Sequence, residues 1–415
     1  MNERPNLLVL AALAAGAVTV PAGAHDDADD HRAPLRVQLG PRPYYLVEGM
    51  DAGKLKDRLR QCKDGPFQPR DFSIAHRGAP LQFPEHTKES YEAGARMGAG
   101  IVECDVTFTR DGELVCRHSE CDLHTTTNVV ATPLNAKCSV PWSGPGSNPR
   151  CCTSDFTLEE FKSLTGKMDA GNPGAGTAQG FLGGTARWRT DLYTGRGTLL
   201  TLRESLRLNQ RLGVKHTPEL KGGDPVRIAQ VFGSQAGYAQ RVLDELEEPG
   251  IAPSDVYLQS FAKGDVLYWI RHAPAYGRQA VYLDSVDPNA NPPVPRLTFD
   301  ELRQARAQGI RIFAPPMPAL LDVDAGGQIV PSAYARDIVR AGLKIITWTF
   351  ERSDLRRGAS QAGFYYYFDP QGRAIKKDSD MYKALDVLAR QVKILGIFSD
   401  WPATVSYYAN CMDLE

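Results

Sequence analysis

The sequence predicts an α/β protein built as a (β/α)8 barrel, with a long irregular insertion after the hairpin of its second strand. Three observations carry that expectation. From Phe72 onward, short β-rich runs alternate with helix-like stretches, the pattern of repeated βα units and a mainly parallel sheet. Nine such runs occur, and Thr109-Arg110-Asp111-Gly112 is too tight a turn to join parallel neighbours. The third run is therefore a return of the second, and eight remain for a closed barrel. Finally, residues 119–198 break the rhythm with little periodicity and a Gly171-Asn172-Pro173-Gly174-Ala175-Gly176 segment, too long a stretch for a passive loop.

Taken in chain order, Arg4 precedes an apolar run from Leu7 to Val20, and Ala22-Gly23-Ala24 supplies small residues ahead of an acidic stretch. Residues 1–24 thus read as an export signal, with a run of about 14 residues that is short for a membrane span. Residues 25–70 form an N-terminal extension and 71–410 the barrel. The strand-like runs are Phe72 to His76, Ile101 to Val106, Leu114 to His118, Val214 to Leu220, Val256 to Phe261, Gln279 to Leu283, Ile310 to Ala314, Lys344 to Phe350 and Gly396 to Ser399. Helical patterns fall at Lys88 to Met97, Leu199 to Leu212, Pro225 to Leu246, Phe299 to Gln308, Pro331 to Arg340 and Met381 to Lys393. Gly213, Gly309 and Gly342 each follow one, where a left-handed cap is expected. An insertion at a barrel rim is expected to shape access to the site.

Of the 415 residues, 42% are hydrophobic and 23% charged, which is ordinary for a globular chain. Lys+Arg 48 against Asp+Glu 49 gives a net charge of −1, so no global basic field draws nucleic acid or an anionic membrane. Any handling of phosphate is then local. All 8 cysteines follow the export signal and lack zinc-site spacing, which suits disulfides in an oxidising compartment. Cys62, before the first barrel strand, is expected to meet Cys411, after the last. Cys138 is expected to reach Cys151 or Cys152.

Candidate chemistry lies at strand ends. Alternation puts Glu103 and Asp105 on one face of their strand and Cys104 on the other. Two inward acids are costly without a cation or hydrogen bonds. Glu219 closes another strand, with Lys221 two residues on. Three hard oxygen ligands suit Ca²⁺ or Mg²⁺. In His76-Arg77-Gly78, Arg77 offers a planar fork for phosphate oxygens. His118 ends the hairpin strand, and Glu85 follows Pro84 in the loop after the first strand. His25, His31 and His272 look less suited. Phe261 and Trp348, at later strand ends, are candidates for a pocket wall or for core packing.

Together these pieces resemble the glycerophosphodiester phosphodiesterase family. The resemblance is carried by His76-Arg77-Gly78, Pro84-Glu85-His86-Thr87, Glu103-Cys104-Asp105-Val106, Thr109-Arg110-Asp111-Gly112 and His118, then by Pro218-Glu219-Leu220-Lys221, Gln259-Ser260-Phe261, Ile346-Thr347-Trp348-Thr349 and Gly396 to Pro402. It implies a (β/α)8 barrel that converts glycerophosphodiesters to glycerol 3-phosphate and an alcohol with a bound divalent cation. It further implies Glu103, Asp105 and Glu219 as metal ligands, His76 and His118 as the acid/base pair, Arg77 and Lys221 on phosphate, and Glu85 in support. His86 departs from the family, which commonly has Asn there, and Trp401 stands where Tyr is usual.

The implied partner is a small glycerophosphodiester, with no nucleic acid and no stable membrane insertion, transient lipid contact aside. The implied location is periplasmic or extracellular. The nearest alternative is a phospholipase D- or C-like enzyme acting on lysophospholipid or inositol lipid, for which Phe364-Tyr365-Tyr366-Tyr367-Phe368 is a candidate contact loop. A noncatalytic exported binding protein is a third reading, opposed by the intact set of six site residues.

Overall fold

The computed structural model describes residue 1, residues 36–191 and residues 193–415; the segment 1–24 expected to be an export signal, Met1 apart, lies outside them. Eight parallel strands close into a barrel: β1 (Arg70–Ala75), β2 (Ala99–Phe108), β4 (Lys215–Leu220), β5 (Gln259–Ser260), β6 (Val281–Leu283), β7 (Ile312–Ala314), β10 (Lys344–Phe350) and β11 (Gly396–Ser399). Closure comes from β1, which pairs with β11 on one side and β2 on the other. β3 (Leu114–Cys116) runs antiparallel to β2, with Val106 opposite Cys116, so the third β run is the hairpin return that its short turn requires.

Local chemistry explains most boundaries. The helix expected from Leu199 begins at Leu202, because Thr201 caps it and Glu204 returns the bond to the Thr201 backbone. The single helix expected over Pro225 to Leu246 is two, Pro225–Phe232 and Gln235–Glu247. Gly233, at φ +76°, ends the first, and the Ser234 hydroxyl accepts the Gly237 N–H to start the second. A small antiparallel pair, β8 (Leu321–Val323) and β9 (Ile329–Pro331), was not visible as a β pattern because each strand is three residues long. The closing helix Pro402–Met412 escaped for another reason: nine of its residues are buried, so it has no polar face to set a 3.6-residue period.

The packing is layered. Ile74, Ile101, Leu283, Ile312, Ile346 and Phe398 fill the barrel interior beneath the mouth. A larger core lies between strands and helices, and Cys62–Cys411 ties the segment before β1 to the closing helix, as expected. Residues 119–198 lack regular periodicity yet enclose a core of their own, with Leu123, Val129, Phe156, Phe161 and Phe181 buried. Cys138–Cys151 and Cys121–Cys152 fasten this unit, and Cys104–Cys116 fastens the hairpin beneath it. Cys104 therefore does face away from the carboxylates on either side of it.

Candidate active site

Strand register assembles the site. Across β2, β4 and β5, Asp105 lies beside Glu219 and Glu219 beside Gln259, while Glu103 lies beside Thr217. In-register neighbours of parallel strands point the same way, so three carboxylates from two strands converge inside the mouth. Glu103, Asp105 and Glu219 each offer an oxygen within 4.8 Å of the other two, and all three are buried. Burial, with Asp105 and Glu219 nearby, holds the Glu103 carboxyl well above the usual range. Burial likewise pushes Glu219 up to about 7, against the pull of Lys221. Burial opposes ionisation of Asp105 as well, but Lys221 and His86 hold its carboxyl well below the usual range.

Asp105 Oδ1 is buried and makes no hydrogen bond among the described residues. An orphaned carboxylate oxygen inside a mutually repelling cluster of hard donors fits a divalent cation such as Ca²⁺ or Mg²⁺.

The two histidines line the same cavity, of about 300 Å³, together with Arg77, Glu103, Glu219 and Lys221. His76 Nδ1 lies 2.6 Å from Asp400 Oδ1, and its Nε2 is 3.8 Å from Glu103 Oε2. With Nδ1 engaged by Asp400, Nε2 is the nitrogen left for a ligand. Burial, with Arg77 and Arg352 adding positive charge, holds the His76 pKa well below its ordinary value. The His118 ring, by contrast, has no hydrogen-bond partner among the described residues; burial, Arg77 and Lys221 lower its pKa too. One imidazole is thus held by a carboxylate and the other is not.

The cationic groups are also anchored. Arg77 adopts φ +55°, which turns its backbone N–H onto Glu103 Oε2 at 3.0 Å. Its guanidinium meets Glu85 Oε2 at 2.9 Å and Asp105 Oδ2 at 3.5 Å. Glu85, held down to about 2 by Arg77 and Arg352 despite its burial, therefore fixes the arginine. Lys221 Nζ reaches Glu219 Oε1 at 2.5 Å and lies 5.7 Å from the centre of the Phe261 ring. Gly78, at φ +97°, lets the chain pass so close to Ser90 that a Cβ would meet its backbone at 2.6 Å.

Phe261 and Trp348 both line the cavity, with their rings 5.9 Å apart and nearly perpendicular. Phe261 is 41% exposed, while Trp348 packs against the barrel-interior cluster and gives its indole N–H to Ala314 O at 2.9 Å. The aromatic run from Phe364 to Phe368 fills a crevice instead of standing in solvent, with Tyr366 and Phe368 buried and Tyr365 at the cavity edge.

His86 resolves the departure noted in the sequence. Its Nε2 lies 2.8 Å from Asp105 Oδ2 and its Nδ1 2.9 Å from the Tyr91 hydroxyl, so the ring holds one carboxylate of the cluster in place. Its φ of +55° is a conformation Asn tolerates better than most residues. Partners of this kind commonly contribute 10- to 100-fold to cation affinity. His86→Ala is expected to weaken Ca²⁺ or Mg²⁺ binding by about that factor, measured by titration calorimetry, with His86→Asn retaining most of it. Equal affinity in the alanine variant would remove this role.

Sequence reasoning did not single out Asp400, Gln259, Arg352 or Asp169. Gln259 Nε2 donates to Glu103 Oε1 at 2.9 Å. Arg352 meets Asp400 Oδ2 at 2.8 Å and Asp169 Oδ2 at 3.4 Å, and Arg189 meets Asp169 at 2.5 Å. Through Asp169 and Arg189 the 119–198 segment thus touches the groups that hold His76. Asp400 and Gln259 lay inside motifs already noticed; Arg352 and Asp169 carried no sequence signal, since their pairing exists only across the mouth.

Comparison with known proteins follows the same lines. Residues 76–404 match the model of the Glycerophosphoryl diester phosphodiesterase family. An extracellular protein of Arthroderma benhamiae is 44% identical over 251 residues, which is 60% of this chain and 100% of that relative. A glycerophosphodiester phosphodiesterase of Arabidopsis thaliana is 26% identical over 230 residues, 52% of this chain and 57% of the plant protein. Among solved structures, one from Silicibacter pomeroyi, provisionally named a glycerophosphoryl diester phosphodiesterase, superimposes with a TM-score of 0.54 at 21% identity, covering 84% of this chain and 95% of that one. That likeness supports the barrel.

Proposed function

This chain belongs to the glycerophosphoryl diester phosphodiesterase family, and from that premise we propose that its barrel mouth hydrolyses glycerophosphodiesters to glycerol 3-phosphate and an alcohol. The observation that carries the reading is the meeting of Glu103, Asp105 and Glu219 within 4.8 Å, in a cavity that His76 and His118 also line.

A phosphodiester is singly anionic, so displacement at phosphorus needs charge stabilisation on the nonbridging oxygens and proton transfers at the entering and leaving oxygens. A divalent cation, Ca²⁺ or Mg²⁺, held by Glu103, Asp105 and Glu219, supplies part of that stabilisation when bound. Arg77 and Lys221 bind the phosphoryl oxygens, and Glu85 keeps the arginine fork oriented. Asp400 accepts Nδ1–H of His76 and so presents an unprotonated Nε2, the form that takes a proton from the nucleophile. His118, which has no hydrogen-bond partner among the described residues, donates its proton to the departing alkoxide as the imidazolium, the form that the negative charge of a bound phosphodiester favours. Phe261 and Trp348 face the nonreacting part of the substrate.

Export accompanies this reading: residues 1–24 act as a removable signal, the barrel of 71–410 carries the 119–198 insertion, and the chain works in the periplasm or outside the cell. Support comes from the four disulfides and from the relative named as an extracellular protein.

A direct comparison tests the substrate class. Purified protein is expected to release glycerol 3-phosphate from glycerophosphocholine and glycerophosphoethanolamine at least about tenfold faster than it turns over lysophosphatidylcholine, because the cavity, of about 300 Å³, is lined mainly by charged and polar side chains and offers little room for an acyl chain. The reverse order would point to the lipid-cleaving alternative, and no turnover of any diester to a noncatalytic protein.

A further inference from the structure

The end of the barrel remote from the mouth carries a second surface. A groove of about 790 Å³ opens there between the helix Ala333–Arg340 and the turn Leu388–Val392, beside the first residues of β10 and β11. Ala335, Leu343, Ile345 and Val392 line it, while Val339 and Leu395, also lining it, are 52% and 40% exposed. Arg336, Arg340, Lys344 and Lys393 line it as well, and no carboxylate does. An adjoining cavity of about 420 Å³ shares Lys344 and Leu395, adds Arg278, Arg306 and Arg311, and again has no carboxylate in its wall. All of these cationic residues are exposed. Arg340 pairs with Asp337 at 3.0 Å; the others form no ion pair among the described residues.

This is a strong segregation of charge for a chain whose formal charges sum to −1. These cations outnumber the counter-charges near them, where Asp337 answers Arg340 and Asp71 and Asp255 lie within electrostatic reach of Tyr257 in the second wall; like charges in excess repel one another, so the arrangement costs stability unless an anionic partner answers it. Exposed aliphatic side chains set among cations are what an anionic lipid surface answers: the cations meet headgroups while the apolar residues enter the acyl boundary. A nucleic acid or soluble polyanion would use the charges and leave Val339, Leu395 and the apolar groove without a partner. We propose that this face docks the protein on an anionic phospholipid bilayer. The active site then opens away from the bilayer, since β10 and β11 begin at the docking face and end at Phe350 and Ser399 on the catalytic side. An enzyme so oriented meets substrates arriving through water.

The test is cosedimentation of the full chain with vesicles of phosphatidylcholine alone or of phosphatidylcholine with phosphatidylglycerol. Binding is expected only to the second, and to weaken at about 0.5 M salt. Neutralising one cation near a charged surface weakens binding by about fivefold, so Arg311→Gln with Lys344→Gln is expected to weaken it by about 25-fold. Val339→Asp is expected to weaken it independently. Both variants should keep wild-type turnover of glycerophosphocholine, which they do not touch. Equal binding to both vesicle types, wild-type binding by the double variant, or capture by heparin without vesicle binding would overturn the proposal. Since vesicle binding requires no turnover, its failure is distinguishable from failure of the catalytic reading.

Discussion

Replacing either His76 or His118 by alanine is expected to lower the turnover of glycerophosphocholine by about 10²- to 10⁴-fold, the usual contribution of one proton-transfer group. The fold should survive both changes. Asp400 keeps Arg352 at 2.8 Å when His76 is removed, so no buried carboxylate is left alone. His118 makes no hydrogen bond that its loss would break among the described residues. The two variants should nevertheless differ. Asp400→Asn cannot hold His76 in the same way and should reproduce part of the His76→Ala defect in turnover with little change in KM, whereas it should not deepen the defect of His118→Ala by its full factor if the two rings act in one step. Circular dichroism and thermal unfolding establish that the variants are folded. Near-normal turnover in a folded His76→Ala or His118→Ala protein would refute the pair.

Glu219→Gln separates the need for negative charge from the need for a fold. Burial already pushes the Glu219 carboxyl up to about 7, so a neutral side chain suits this position when no cation is bound. The amide oxygen can accept from Lys221, which stands 2.5 Å from Glu219 Oε1, and the amide N–H can face Asp105. Stability without added cation should therefore be unchanged or slightly raised. Activity should fall by about 10³-fold, because Lewis-acid stabilisation at phosphorus is worth several kcal/mol and the variant removes one anionic ligand. Ca²⁺ or Mg²⁺ is expected to raise the Tm of the wild-type protein through selective binding to the folded state, and that rise should shrink in step in the variant. A Glu219→Gln variant with wild-type turnover would exclude a ligand role for this carboxylate.

The barrel was legible because its strands are bounded by glycine, proline and charged residues and alternate with helical patterns. The turn at Asp111-Gly112 was sufficient to separate the hairpin strand β3 from the eight that close. Alternation also placed Glu103 and Asp105 on one face with Cys104 opposite, since a strand has only two faces. What remained hidden has common physical causes. The closing helix is buried on every side and has no amphipathic signal. The 80-odd residues after the hairpin are organised by disulfides and a small separate core, which obey no period. Arg352 and Asp169 are 183 residues apart and meet only across the mouth. His86 looked like a departure, yet a ring nitrogen 2.8 Å from Asp105 does at that place what a short amide could also do. The basic face remote from the mouth was invisible in a net charge of −1, because a sum carries no information about where its members sit.

The central claim is that carboxylates and imidazoles around one divalent cation cleave a glycerophosphodiester, and ³¹P NMR of glycerophosphocholine incubated with chelator-stripped protein tests it most directly. The account predicts an unchanged diester signal with stripped protein, and conversion to glycerol 3-phosphate once Ca²⁺ or Mg²⁺ is restored. Undiminished conversion by fully stripped protein, or a restored protein that leaves the diester intact, would contradict it.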